Sequence, residues 1–166
     1  SPTGLERSID GGLNWQSVST SPTSPFSETV QLSAGMYDVR YRFSNDVTIS
    51  DSVNVGVGPV IALIGHSNIV QYGDNNQVLQ PSVNGVKAYM YGLDGGWKEA
   101  QDPIHSAAGI QYSVGEDTVA GGSAWILFAN QWLEDNPNIP IAFIPCAKGG
   151  TQASDWTYST STGTLY

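Results

Sequence analysis

From residue 5 to residue 57, apolar and polar positions alternate with a period of two, and turn-forming residues interrupt the alternation at short intervals. This pattern predicts strands over residues 5–9, 13–18, 26–32, 37–43 and 47–57, with Asp10-Gly11-Gly12 as a hairpin turn and Ser33-Ala34-Gly35 as a second turn. In the fourth strand Tyr37, Val39, Tyr41 and Phe43 share one face, while Asp38, Arg40 and Arg42 share the other, so one face packs and the other meets water. The expectation for residues 1–57 is an antiparallel β-sandwich of immunoglobulin or fibronectin type. About five strands leave it incomplete on its N-terminal side. The opening Ser1-Pro2-Thr3-Gly4 reads like the interior of a longer protein, and a fragment is expected.

The alternation stops at Gly56-Val57-Gly58-Pro59, the expected boundary, and a strand, loop, helix, strand order follows over residues 58–166. The run Val60-Ile61-Ala62-Leu63-Ile64 ends at Gly65 and reads as a strand buried on both faces, as in a parallel sheet. A short strand is predicted over residues 86–91. Trp125, Phe128, Ala129 and Trp132 fall at helical spacing within residues 123–135, with Ser123 as cap and Asn136-Pro137 as terminator. A third buried strand is predicted over residues 139–145. The resulting α/β arrangement is a parallel sheet with right-handed crossovers.

Composition narrows the function more than the fold. The 166 residues are 40% hydrophobic and only 13% charged, with a net charge of −9, so binding through nucleic-acid phosphates is not expected and a neutral or polar ligand fits better. The single cysteine, Cys146, ends an apolar strand and excludes an internal disulfide framework. No apolar stretch is long enough to span a bilayer, and abundant Gly, Ser, Thr, Asn, Trp and Tyr suit an extracellular or surface-exposed protein.

Ser67 stands just past the first buried strand, at the end of the sheet where ligands bind in open α/β folds, and is the candidate nucleophile. A strand-end serine also serves as a turn or helix cap. The segment is not the Gly-x-Ser-x-Gly elbow, because Ile69 occupies the last position. Four ordered blocks carry a resemblance. These are Gly65-His66-Ser67-Asn68, Gly96-Trp97-Lys98-Glu99-Ala100-Gln101-Asp102-Pro103, Gly122-Ser123-Ala124-Trp125, and Pro145-Cys146-Ala147-Lys148-Gly149-Gly150-Thr151 followed by Trp156. Over about residues 58–166 the chain resembles the SGNH-type carbohydrate O-acetylesterases, the sialate O-acetylesterase and acetylxylan esterase-like group.

The resemblance implies a flavodoxin-like parallel sheet, here incomplete, and a serine esterase that removes O-acetyl groups from carbohydrate. It implies Ser67 as nucleophile, the amides of Ser67 and Gly122 as oxyanion donors, and Asn68, Gly149, Gly150 and Thr151 beside the substrate. Gly122 is equally a turn residue before a helix, and Thr151 equally a brace for its loop. Trp97 and Trp156, both in expected loops, are the candidates for stacking on sugar rings, whereas Trp125 at helical spacing reads as core. The family's Gln-Gly-Glu segment and the Asp-x-x-His segment that supplies its general base do not occur in this chain. His66 is expected to support the loop and His105 to lie at the surface or contact substrate; neither replaces the missing base. Glu116-Asp117 reads as a solvated loop, no zinc spacing is present, and neither metal nor cofactor is expected. The expected partner is an acetylated carbohydrate, joined by a second copy of the chain or by the remainder of a longer one. The competing class is a non-catalytic glycan-binding surface or phage-tail module that keeps a hydrolase-like fold.

Overall fold

The computed structural model describes residues 3–65, 69, 73, 77–92, 95–102, 104, 122–147, 152 and 154. The chain divides into two compact units, Ser1–Val57 and Gly58–Tyr166.

The first unit is one antiparallel sheet of four strands in the order β2-β1-β3-β4, built from β1 (Leu5–Ser8), β2 (Gln16–Ser19), β3 (Gly35–Phe43) and β4 (Asp46–Val57). Alternation along β3 sets its two faces. On one, Val39 is buried, and Arg7 of β1 stands opposite Tyr41. On the other, Arg42 pairs with Glu6 across the strands at 2.8 Å and lies over the Trp15 ring at 3.8 Å. The expected strand at 26–32 does not form. Glu28 instead accepts hydrogen bonds from Arg7 and from the Tyr41 hydroxyl, the latter at 3.0 Å, so this segment reaches the sheet through a side chain. A sandwich needs a second sheet facing the first. Among the described residues of this unit there is one sheet.

The turn after β1 follows from two short polar side chains. Buried Ser8 donates to Asp10 Oδ1 at 2.6 Å and accepts from the Gly12 amide at 2.9 Å. Asp10 in turn accepts from the Asn14 amide at 2.9 Å and from Asn14 Nδ2 at 2.6 Å. These bonds, led by the one from Ser8, favour the carboxylate and hold Asp10 at a pKa of about 2.

The second unit is a mixed sheet in the order β5-β8-β6-β7, formed by β5 (Val60–Gly65), β6 (Ala88–Tyr91), β7 (Trp97–Glu99) and β8 (Ile141–Ala147), with helix α1 (Ala124–Asp135) between β7 and β8. β8 pairs in parallel with β5 and with β6, whereas β7 is an antiparallel edge strand formed by a hairpin that was not expected. The central strand is therefore the last of the three parallel strands. A flavodoxin-like order would place the first one between its neighbours.

Register determines what is buried. Leu63, Phe143, Ile141, Ala88 and Met90 share one face and are at most 2% exposed. Against that face α1 packs a stripe of Ile126, Ala129 and Leu133, and the rings of Trp125 and Phe128 contact Phe143 at centroid distances of 6.1 and 6.4 Å. The stripe is rotated from the expected Trp125, Phe128, Ala129 and Trp132 face, on which Phe128 is 42% exposed. Both tryptophans sit at its margin, where each indole N–H reaches a carbonyl: Trp125 that of Ile69 and Trp132 that of Ile139.

The expectation that β5 is buried on both faces is corrected. Val60 and Ile64 are 55% and 62% exposed, because among the described residues α1 covers only the face of Leu63. Cys146, directly opposite Ile64, is half-buried.

Two outcomes follow. Phe143→Ala removes the centre of the ring cluster and destabilises the second unit by about 3–5 kcal/mol, readable as a lower urea midpoint. The Asp10 carboxylate is depressed below its ordinary 3.8, so its contribution is complete above that value and declines as pH falls toward about 2. Unfolding of the first unit, followed by Trp15 fluorescence, then loses part of its pH dependence between 4 and 2 in Asp10→Asn.

Candidate active site

The carboxyl ends of β5 and β8 are level, since Gly65 is the pairing partner of Ala147. The segments that follow them in sequence begin at the same end of the sheet, and they contain most of the expected site residues. His66, Ser67, Asn68, Gly149, Gly150, Thr151 and Trp156 lie outside the described residues, as do His105, Glu116 and Asp117. What the structure describes is the frame on either side of Ser67.

Gly65 ends β5 in a conformation with φ +155°, and a Cβ there would stand 2.6 Å from Ile69 Cγ1. The Ile69 side chain thus packs where any other residue at position 65 would carry its own. Four residues apart, Ile69, Gly73 and Gln77 are each fastened near the start of α1. The Ile69 carbonyl accepts from Trp125 Nε1 at 2.5 Å. Gly73 and Gly122 exchange backbone hydrogen bonds of 2.9 and 3.1 Å, a two-bond bridge that a Cβ at Gly73 would break by standing 2.7 Å from the Gly122 oxygen. The Gln77 amide donates to Asp102 Oδ2 at 2.8 Å. Farther along, the Gln80 amide donates to Asn130 Oδ1 at 2.8 Å, and Asn130 Nδ2 to the Val78 carbonyl at 3.0 Å. The stretch after β5, read from sequence as a loop, is held to the helix at intervals over one side.

Asp102 is the residue that sequence reasoning left out of the site. The β6–β7 hairpin extends to a bond from the Ala100 amide to the Ala88 carbonyl at 2.9 Å, which brings the chain to the N-terminus of α1 two residues later. There Asp102 Oδ2 accepts from the Ser123 amide at 3.1 Å as well as from Gln77, while Oδ1 accepts from the Ser123 hydroxyl at 2.8 Å. Ser123 Oγ itself caps the helix by accepting from the Trp125 amide at 3.3 Å. Its sequence signal is its place in the second block, next to the closing Pro103 of the stretch that begins at Gly96.

Gly122 is buried, and its amide donates to the Gly73 carbonyl, so an oxyanion role for that amide requires this bond to open. Trp97 lies apart from this frame. It is 51% exposed on edge strand β7 and meets the Tyr91 ring edge-on at 5.2 Å, on the sheet face opposite α1. Three strand spacings separate β7 from β5, a distance of about 14 Å. Trp97 therefore does not adjoin Gly65. A groove along α1 is lined by Pro81, Val83, Leu127 and Glu134 among others. Among the described residues no group of three His, Cys, Asp or Glu side chains is arranged to hold a metal, and no helix is long and apolar enough to cross a membrane.

Residues 57–166 match the family described as carbohydrate esterase, sialic acid-specific acetylesterase. A search of curated proteins finds no match. Among solved structures, a protein from Arabidopsis thaliana is 21% identical with a TM-score of 0.46, covering 61% of this chain and 45% of its own. A carbohydrate acetylesterase from Xanthomonas citri is 14% identical with a TM-score of 0.37, covering 95% of this chain and 36% of its own. The chain thus spans less than half the length of either protein.

Gly73→Ala places a methyl group against the Gly122 carbonyl and costs about 1–3 kcal/mol, with faster amide exchange at positions 73 and 122 while β8 keeps its protection.

Proposed function

The chain belongs to the carbohydrate esterase, sialic acid-specific acetylesterase family, and from that premise we propose that it carries the nucleophile-bearing part of an SGNH-type serine esterase that removes O-acetyl groups from a carbohydrate. The family match over residues 57–166 is the observation that carries this reading. In it, residues 58–166 are the first part of the esterase domain, and residues 1–57 are part of a β-sandwich module. The SGNH assignment rests on the four sequence blocks and not on strand order.

Ser67 Oγ attacks the acetyl carbonyl carbon, and its proton passes to a histidine outside residues 1–166. The developing oxyanion is met by the amides of Ser67 and Gly122, the latter exchanging its bond to Gly73 for one to the intermediate. The carbon–oxygen bond to the sugar then breaks as the histidine returns the proton to the sugar oxygen. Water hydrolyses the acetyl-serine, releasing acetate and restoring the serine. Gly149, Gly150 and Thr151 follow the end of β8 and contact the acetylated sugar together with Asn68 and Trp156. Trp97, about 14 Å across the sheet from β5, serves a neighbouring sugar unit instead of the acetylated one. No cofactor takes part, and the setting is extracellular or on a surface, consistent with the low charge and polar, aromatic composition.

Support for a serine in this role comes from how its surroundings are held. Gly65 and Ile69 flank Ser67 two residues away on either side. One is in the sheet ladder opposite Ala147, and the other is bonded to Trp125. Fixed flanks limit the positions a nucleophile can take, which a near-attack geometry requires.

The test is acetate release from O-acetylated sialic acid by the intact protein. Ser67→Ala abolishes release while leaving sugar binding within a few fold of the parent. Turnover that survives the substitution removes Ser67 from the role. Binding of the acetylated sugar with no release by the parent protein assigns the chain to a non-catalytic glycan-binding module.

A further inference from the structure

We propose that Asp102 is a positioning residue for the deacetylation reaction: it fixes the start of α1, and through it the segment that follows Ser67. This rests on the reading of Ser67 as nucleophile.

The geometry supplies a connected path. Asp102 accepts from the Ser123 amide, the Ser123 hydroxyl and the Gln77 amide at 3.1, 2.8 and 2.8 Å. One carboxylate therefore joins three donors from two segments that are distant in sequence. Ser123 lies between the two residues that hold the post-β5 segment, Gly122 through the bridge to Gly73 and Trp125 through its indole bond to Ile69. Ser67 precedes Ile69 by two residues. The hydroxyl of Ser123 is committed on both sides, donating to Asp102 and accepting from the Trp125 amide. A serine cap that rotated freely would let the first turn fray. Held by Asp102, it keeps Gly122 and Trp125 in register with their partners.

Two further features fit positioning. The carboxylate stands at a helix N-terminus, where negative charge is favoured, so it needs no cation to be held there. It is also delivered by β7, whose pairing with β6 continues to Ala100, so its backbone is anchored to the same sheet that carries β5 and β8. Asp102 touches no reacting atom in this account. Its effect reaches Ser67 through Ser123, Trp125 and Ile69.

Substitutions separate charge from connection. An asparagine at 102 can keep all three bonds, its oxygen accepting from both amides and its NH2 group donating to Ser123 Oγ. An alanine keeps none. In the intact protein, Asp102→Ala lowers kcat roughly a hundredfold with KM within about twofold, as expected when a reacting group is displaced by about 1 Å. Asp102→Asn recovers kcat to within roughly fivefold of the parent. Amide exchange, which needs no substrate, is measured on the same proteins. Asp102→Ala speeds exchange at Gly73, Gln77, Gly122 and Ser123, while β5 and β8 stay protected.

Unchanged exchange at those four amides overturns the proposal whatever the kinetics. Faster exchange with unchanged kcat also overturns it, since the fastening would then be structural only. If Ser67→Ala retains turnover in the same assay, the nucleophile assignment fails by itself, and the Asp102 result is distinguished from it by the exchange data.

Discussion

A helix must find partners for the amides of its first turn, and in this protein that requirement organises the second unit. The start of α1 could have been left to water. Instead Ser123 caps it, Asp102 secures the cap, and Gly122 immediately before it is paired with Gly73. The partners come from two other parts of the chain: Asp102 from beyond the β6–β7 hairpin, Gly73 and Gln77 from the stretch after β5. Satisfying one helix terminus thus joins two connections, the one after β5 and the one after β7, toward the end of the sheet where β5 and β8 stop. In open α/β folds that end is where ligands bind.

The sheet imposes the second constraint. Because β8 pairs with β5 and β6 at once, its alternate residues Ile141, Phe143 and Ala147 face the layer that α1 occupies, and each is at most 1% exposed. The Trp125 and Phe128 rings meet Phe143, so the residue that tethers Ile69 is itself seated on the core. Packing and site geometry are therefore coupled at Trp125. A change that lets the ring cluster relax also moves the indole N–H that holds the post-β5 segment. The first unit is held differently. There, polar side chains such as Ser8, Asp10, Glu28 and Arg42 join the turns to the sheet, and the one large buried aliphatic on β3 is Val39.

Much of this was legible from residue pattern, and the parts that were not have physical reasons. The period-two runs located β1, β3 and β4, and the Val60–Gly65 run located β5, because a strand declares itself through which residues it hides. Ser123 as cap and Asn136 as terminator bounded α1 for equally local reasons. The buried stripe was misplaced by bulk. Trp125 and Trp132 look like the most apolar members of the helix, but each carries an N–H that must reach a carbonyl, which puts the ring at the margin and leaves Ile126, Ala129 and Leu133 in the core. β7 escaped notice because three residues carry almost no periodicity. The segment at 26–32 alternates like a strand, yet what holds it is Glu28 bonded to Arg7 and Tyr41, a pairing that depends on strand register in space. Asp102 was invisible as an organiser for the same reason: its three donors lie 21 and 25 residues away.

The way the post-β5 segment is fastened bears on what it can do. The Ile69 carbonyl, both backbone groups of Gly73, the Gln77 amide, the Val78 carbonyl and the Gln80 amide make the attachments, all of them main-chain groups. The side chains that grip them, Trp125, Asp102 and Asn130, belong to α1 and to the stretch that precedes it. At Ile69, Gly73, Gln77, Val78 and Gln80 the chain is thus held through its backbone by partners distant in sequence. Attachment through main-chain groups lets a side chain at such a position be replaced without removing the bond that holds the backbone. Glycine at 73 is the exception, because there the backbone of the partner occupies the space a side chain would need.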